Sequence, residues 1–359
     1  MTVGDPTARA SSPPSPQVHV RLADVAAAAQ VSVSTASRAL RDHPAASPRT
    51  QRRVKAAAQR LGYEPNRMAA ALRSRTSPFV GIVVPDITIP FFAFAVKAAQ
   101  DVLEQAGYQV LVMNTDRQAR QEREALRTLL AHRANGVLLA TSGGFDFAGI
   151  PLVFFANFEP QTNLARIALS NREGIRLLVE HLFAHGHERI AYIGGRPDVT
   201  SGSERLAAFS DTMQSAGLAD RMVIRISDDA WSPASAATAV TDLLRGADRP
   251  TAFVAGGDRL ALGTLKAIKA HGLRVPEDLA LVSFQDPDPF GGVLEPAVTS
   301  LSSQERELGS HAAGLLLQLL SGPYTEPSAL ELRLPATLVR RRSCGCGGDD
   351  SEPKIRLTG

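Results

Sequence analysis

The sequence predicts a small all-α domain followed by a larger α/β body of two lobes, each a doubly wound parallel sheet. Three observations carry this. Short helix-patterned segments occupy residues 18–65. From residue 79 a strand–helix rhythm sets in, and it restarts near 174. Charge changes sign between the two parts. With 44% hydrophobic residues, a chain of 359 can build real cores, so a wholly disordered protein is excluded. The apolar run at 79–84 is stopped by Pro85 and Asp86, and no run approaches the ~20 residues a membrane helix needs. Residues 1–17 are rich in Pro, Ser and Ala with no apolar stretch, which predicts a disordered extension and no signal peptide. The two cysteines, Cys344 and Cys346, sit together and cannot staple distant loops. A disulfide scaffold is excluded, and a cytoplasmic location is expected.

The net charge of +3 conceals a division. Residues 18–75 hold eleven basic side chains and three acidic ones, a surplus of eight, while residues 1–17 are balanced. The remaining 284 residues therefore carry −5. A basic module on a mildly acidic body points to a polyanionic partner for the module.

Within that module, Leu22, Val25, Ala26 and Ala29 form one helical face. Val31 and Ser32 break it, and Ser32 is a good N-cap for a second helix over 33–40. Two short helices across a tight turn make a helix-turn-helix unit. Ala36 and Leu40 face inward, leaving Val33, Ser34, Ser37 and Arg38 on the other sides. Hydroxyls and an arginine on an exposed helix suit phosphate oxygens and guanine edges. Ser47-Pro48 starts a third helix that carries Val54, Ala57, Ala58 and Leu61 and ends at Gly62. A short Ala-rich helix capped by Asn66 then carries Leu72 and three arginines.

In the body, strands are predicted at Phe79–Val84, 108–113, 136–140, 190–193, Met222–Ile226, Ala252–Ala255 and 279–284. Helices are predicted at 93–106, 121–131, 174–183, 204–216, 234–244 and 260–270. Two such lobes leave a cleft where strand ends meet loops, the usual place for a small ligand.

The run Leu22-Ala-Asp-Val-Ala, Val31-Ser-Val-Ser-Thr-Ala-Ser-Arg38-Ala-Leu, Ser47-Pro-Arg-Thr and Leu61-Gly-Tyr-Glu-Pro-Asn66 resembles the lactose-repressor (LacI-type) family of bacterial transcriptional regulators. The body resembles that family's effector domain, itself similar to periplasmic sugar-binding proteins. The matching pieces are Ile89-Pro-Phe-Phe92, His185-Gly-His-Glu-Arg-Ile190, Arg205-Leu-Ala-Ala-Phe209, Asp258-Arg-Leu-Ala-Leu-Gly263 and Val275-Pro-Glu-Asp-Leu279. The resemblance implies a repressor that reads a pseudopalindromic double-stranded operator as a homodimer and is switched by a small molecule, such as a sugar or related metabolite. It implies major-groove contacts from Val33, Ser34 and Arg38, with Arg38 the best candidate for a guanine. Ser32, Thr35, Ser37 and Asn66 would hold phosphates. Ala69 and Leu72 would enter the minor groove from a hinge helix, Leu72 as a wedge that kinks one base step. In the cleft it implies effector contacts from Phe91, Phe92, Asn157, Leu169, Ser201, Arg205, Trp231, Gly257, Asp258, Gln285 and Ser303.

Four residues depart from the family pattern. Gln30 stands where Gly is usual, Ala36 for Val, Gly257 for Asn or Ser, and Gln285 for Asp. Gln is neutral and both donates and accepts, so a ligand carrying its own carboxylate or phosphate would suit Gln285 beside Arg205 better than a simple hexose does.

The expected division is a headpiece over 18–65, a hinge over 66–76 and a two-lobed domain over 77–343. One lobe takes about 77–169 plus 300–327, the other 170–299 plus 328–343. A disordered tail is expected over 344–359. No metal or cofactor is expected. His181 and His185 lie four apart on a helix, but no further ligand stands at a fixed spacing, and Cys344-Gly-Cys346 offers two thiols only. The chain shows no catalytic constellation, so an enzyme is not expected. The glycine pairs lack a phosphate-loop spacing. No leucine heptad follows Ser343, so a dimer is expected rather than a tetramer. A ligand-independent, nucleoid-type DNA binder and a protein co-regulator in place of the small molecule stay open.

Overall fold

A computed structural model describes residues 20–63, 78–141, 149–158, 163–227, 231–286, 293–302, 304–322 and 330–346. The hinge positions Asn66, Ala69 and Leu72, Ser303 of the cleft, and the extension over 1–17 lie outside the described residues. Two compact units divide at residues 76 and 77.

The first unit is three helices: α1 (Leu22–Ala28), α2 (Val33–Leu40) and α3 (Pro48–Leu61). Local chemistry sets their ends. The Arg21 amide donates to the Asp24 carboxylate at 2.7 Å. Ser32 and Ser47 cap α2 and α3, accepting the Thr35 and Thr50 amides. Pro48 fills the first turn of α3, and Gly62 ends it at φ +62°. The core is Val25, Ala26, Ala29, Ala36, Ala39, Ala46, Val54, Ala57 and Ala58, mostly alanine, so the helices approach closely around little apolar volume. The inward pair on α2 is Ala36 and Ala39, with Leu40 only half-buried.

The turn between α1 and α2 places Gln30 at φ +49°, in the left-handed region. A residue with a Cβ pays about 1–2 kcal/mol there. Glycine's larger unfolded-state entropy returns part of that. Gln30→Gly should therefore raise the stability of this domain by about 0.5–1 kcal/mol, read as a higher midpoint of its unfolding transition. No gain would mean the turn is not strained.

The second unit holds two six-stranded sheets. Sheet one is built from β1 (Phe79–Val84), β2 (Gln109–Asn114), β3 (Val137–Leu139), β4 (Leu152–Phe155), β5 (Ala165–Leu169) and β11 (Glu331–Leu334), in the order β11-β5-β4-β3-β1-β2, all parallel. Sheet two is built from β6 (Ile190–Gly194), β7 (Met222–Ile226), β8 (Ala252–Ala255), β9 (Ala280–Ser283), β10 (Thr299–Leu301) and β12 (Leu338–Val339), in the order β12-β10-β9-β8-β6-β7. Only β12 runs antiparallel. The central strands are apolar on both faces because helices cover both sides. Sheet one carries α4 (Pro90–Gln105), α5 (Ala119–Ala131) and α10 (Glu305–Leu320). Sheet two carries α6 (Asn171–Ala184), α7 (Thr200–Ser215), α8 (Pro233–Arg245) and α9 (Asp258–Ala270). No helix among the described residues is long and apolar enough to cross a membrane.

Two expectations are corrected. The chain crosses between the lobes three times, as expected, but the last two crossings fall later: β10 joins sheet two, α10 packs on lobe one, and β11 pairs with β5 in sheet one, so 331–334 belongs to the first lobe. The tail does not begin at Cys344. That residue is buried, accepts the Thr299 hydroxyl proton at 3.1 Å, and packs in the core of the second lobe.

Candidate nucleic-acid surface and ligand cleft

On α2, Val33, Ser34 and Arg38 are all exposed. Val33 is 49% accessible, an apolar side chain with nothing of its own domain to bury it. Ser32 Oγ caps the helix and lies 2.9 and 2.8 Å from the hydroxyls of Ser34 and Thr35. Ser37 accepts a hydrogen bond from Arg41 at 3.2 Å. The helix thus starts with amides and hydroxyls that favour anions. Around it Arg49, Arg52, Arg53 and Arg60 are exposed, and among the described residues of this domain the ion pair is Lys55–Asp42, at 2.6 Å. The surface is a hydroxyl-rich helix within a field of unpaired cations, suited to a phosphate backbone with base edges in reach.

The cleft between the lobes has a volume of about 770 Å³ including its mouth. Pro85, Thr141, Asn157, Asn171, Arg196 and Gln285 each follow the carboxyl end of a parallel strand by one or two residues, and Arg117 and Asp258 by three. That is where doubly wound sheets present ligands. Nine of the eleven sequence-derived positions line the cleft: Phe91, Phe92, Asn157, Leu169, Ser201, Arg205, Trp231, Asp258 and Gln285. Phe91 and Phe92 meet edge to face at 5.1 Å and form an apolar wall. Asn157 uses its side-chain oxygen to accept the Ser201 amide at 3.1 Å, tying the first lobe to the start of α7.

Arg205 is the electrostatic centre. It is buried on α7, donates from Nε to Asn171 Oδ1 at 2.8 Å and from Nη1 to the Gly256 carbonyl at 2.6 Å, and lies 3.6 Å over the Phe284 ring. All three partners are neutral. Burial lowers its pKa to about 10, which still leaves it cationic near neutrality. Asn171 passes the contact to Glu204 at 2.7 Å, and Arg333 of β11 grips Glu204 with two bonds at 2.9 and 2.7 Å. The cationic floor of the cleft is thereby wired to an edge strand of the opposite lobe. Burial pushes the Asp258 carboxyl above the usual range, against the pull of its backbone amide bond from Arg259.

Trp231, the chain's single tryptophan, sits at φ +67° between two glycines. A Cβ on Gly195 would lie 2.3 Å from its ring, and one on Gly257 would lie 3.1 Å from the ring and 3.2 Å from Gln285 Oε1. Gly257 does not itself line the cleft; it makes room for Trp231 and Gln285, which do. A bulky residue held at positive φ is strain stored at a functional wall.

Sequence reasoning missed Arg117, Arg196, Arg259 and Asn171. Arg117 is paired with Asp86 at 3.0 Å and Arg196 with Asp198, while Arg259 makes no ion pair among the described residues. Their signal was available: each stands within four residues of a strand's carboxyl end.

A helix-turn-helix head and a two-lobed body with a strand-end cleft define a ligand-switched regulator of transcription. The comparisons with known proteins place it further. The model of bacterial regulatory proteins of the lacI family matches residues 21–66, and that of a periplasmic binding protein-like domain matches residues 179–344. The ribose operon repressor of Halalkalibacterium halodurans is 32% identical over 333 residues, 92% of this chain and 98% of the relative. The lactose operon repressor of Escherichia coli is 30% identical over 336 residues, 90% of each chain. Among solved structures, the lac repressor dimer bound to operator and an anti-inducer gives a TM-score of 0.82 at 29% identity, covering 90% of this chain and 99% of that one. A CelR–cellobiose complex gives 0.66 at 29% identity, with the same coverage. The chain belongs to the LacI family of bacterial regulatory proteins. It is a DNA-binding repressor regulated by a ligand, and the relatives it matches are transcriptional regulators, not enzymes.

Proposed function

We propose that this chain, as a cytoplasmic homodimer, represses transcription from a pseudopalindromic operator read by Val33, Ser34 and Arg38, and that its effector is a sugar-like metabolite bearing an acid group. Two-fold symmetry in the protein calls for two half-sites about one helical turn apart. The single observation that supports the effector class is Arg205, a buried cation in the cleft whose hydrogen-bond partners are all neutral. Glu204 and Asp258 act on it only through space, so a carboxylate or phosphate on the ligand would supply the directly bonded anion it lacks, with Arg259 at the same wall. Phe92 and Trp231 offer apolar faces to a sugar ring. Relatives named for ribose, lactose and cellobiose support the sugar-like part. Gln285, in place of the usual acid, removes a repulsive charge.

Two measurements test this. Operator titration at two salt concentrations should show tight selective binding. Arg38→Ala should weaken it by about 1–3 kcal/mol, roughly 5- to 150-fold, and relax selectivity at one base pair, leaving salt-sensitive binding intact. Weak binding equal on all sequences would favour the nucleoid-type alternative. For the effector, Trp231 is a built-in reporter: sugar acids and sugar phosphates should change its fluorescence and release the operator at lower concentrations than neutral sugars do. A neutral hexose bound tightly through Gln285 would overturn the assignment.

A further inference from the structure

Four side chains with metal-ligating atoms meet on the second lobe, and none of them lines the cleft. The geometry points to a zinc site formed by His181, His185, Cys344 and Cys346 that fastens the end of the domain to α6. The donor atoms all lie within 4.8 Å of one another. Cys346 Sγ is 3.4 Å from His181 Nε2, 3.2 Å from His185 Nε2 and 2.8 Å from Cys344 Sγ. Zinc bonds of about 2.3 Å to sulfur and 2.0–2.1 Å to nitrogen in a tetrahedron set donor atoms roughly 3.3–3.8 Å apart. Shifts of about an ångström in flexible side chains would reach that arrangement.

The two halves of the set are some 160 residues apart, yet each is locally prepared. His181 and His185 are one turn apart at the end of α6. Gly345 at φ +83° turns the chain so that both thiols reach the same pair of rings. The surroundings supply the orienting contacts such sites use. His185 Nδ1 lies 2.8 Å from the His181 carbonyl, which fixes the proton on Nδ1 and leaves the Nε2 lone pair facing Cys346. The Thr299 hydroxyl donates to Cys344 Sγ at 3.1 Å and stabilises a thiolate there. Two thiolates and two neutral imidazoles are the set that selects zinc over magnesium or calcium. Four protein ligands close the coordination sphere, so the role is structural. Binding releases two thiol protons to solvent, and the two thiolates balance the dication.

The site would act on the segment before it. Ser343 ties the chain to both neighbours, accepting the Thr299 amide at 2.8 Å while its carbonyl accepts the Leu281 amide at 2.8 Å. Arg341 clamps Asp286, the residue after Gln285, at 3.1 Å. A staple at Cys344 and Cys346 would hold that whole edge in place.

The test is metal analysis of the full-length protein, kept reduced and purified without a metal-affinity step. About one zinc per chain is expected. Cobalt in its place should give the intense visible bands of tetrahedral thiolate coordination. Cys346→Ser and His185→Gln, at positions that are not buried, should lose the metal and lower the thermal midpoint while operator binding shows them folded. His187→Gln, whose ring faces Thr251 at 3.0 Å, should keep it. A reduced chain that takes up no zinc from solution overturns the site, as does zinc retained in Cys346→Ser or an octahedral cobalt spectrum.

Discussion

Arg205→Lys should leave operator binding in place and abolish the response to effector. The guanidinium makes three contacts at once: Asn171 at 2.8 Å, the Gly256 carbonyl at 2.6 Å and the Phe284 ring at 3.6 Å. An ammonium is a point charge on a flexible stem and cannot reproduce a planar fork stacked on a ring. Buried hydrogen bonds to a charged group are worth about 1.5–3 kcal/mol each. Losing the fork should therefore weaken an anionic ligand by about 100-fold or more, near 3 kcal/mol. Arg205→Ala adds a second loss, because Asn171 Oδ1 and the Gly256 carbonyl lose their donor at a buried site, and it should lower the thermal midpoint as well. The lysine variant separates the two effects. Trp231 fluorescence reads ligand affinity, and operator titration with and without ligand reads the switch. Arg205 also ends the chain through Asn171 and Glu204 to Arg333. Ligand bound at Arg205 therefore biases contacts that run between the lobes, which is the differential interaction a population shift requires. Ligand affinity unchanged in Arg205→Lys would remove Arg205 from the site.

How much of this was legible in the sequence depends on the range of the forces involved. The strands Phe79–Val84, Met222–Ile226 and Ala252–Ala255 were readable to the residue, because each is an apolar run between turn signals. So was the third helix, fixed by Ser47-Pro48 and Gly62. Leu152–Phe155 and Ala165–Leu169 escaped because they are short and no helix pattern separates them. The end of the first lobe's returning segment escaped because pairing of β11 with β5 is a contact between residues some 165 positions apart, invisible to any local window. The cleft was largely legible through the family resemblance. Arg205 came with it, but Arg117, Arg196 and Arg259 did not, although the strand-end rule alone would have found them. Cys344 and Cys346 were the clearest miss. A Gly- and Asp-rich neighbourhood reads as a solvated tail, yet burial of Ser343 and Cys344 against Thr299 and Leu281 overrides local composition.

Gly195→Ala should unseat Trp231 and cost the protein both stability and ligand. The added methyl would lie 2.3–2.6 Å from three ring carbons, inside any tolerable contact, so the indole must move. Overpacking of this kind costs about 1–3 kcal/mol. The ring has little room to retreat. Gly257 already receives it with no Cβ to spare, and the Trp231 backbone is itself held at φ +67°. Displacement should therefore expose it to water, seen as a red-shifted emission from the chain's only tryptophan. The cleft would lose an apolar wall, and effector affinity should fall by at least tenfold, about 1.4 kcal/mol. A double-mutant cycle separates packing from recognition. Trp231→Leu removes the ring that the methyl strikes, so the stability cost of Gly195→Ala should shrink toward zero in that background. Ligand affinity should stay low in both, because the sugar face has nothing to stack on. If Gly195→Ala is equally destabilising without the indole, the glycine serves the backbone and not Trp231. If Trp231→Leu alone keeps full affinity, the indole is a core anchor that merely borders the cleft.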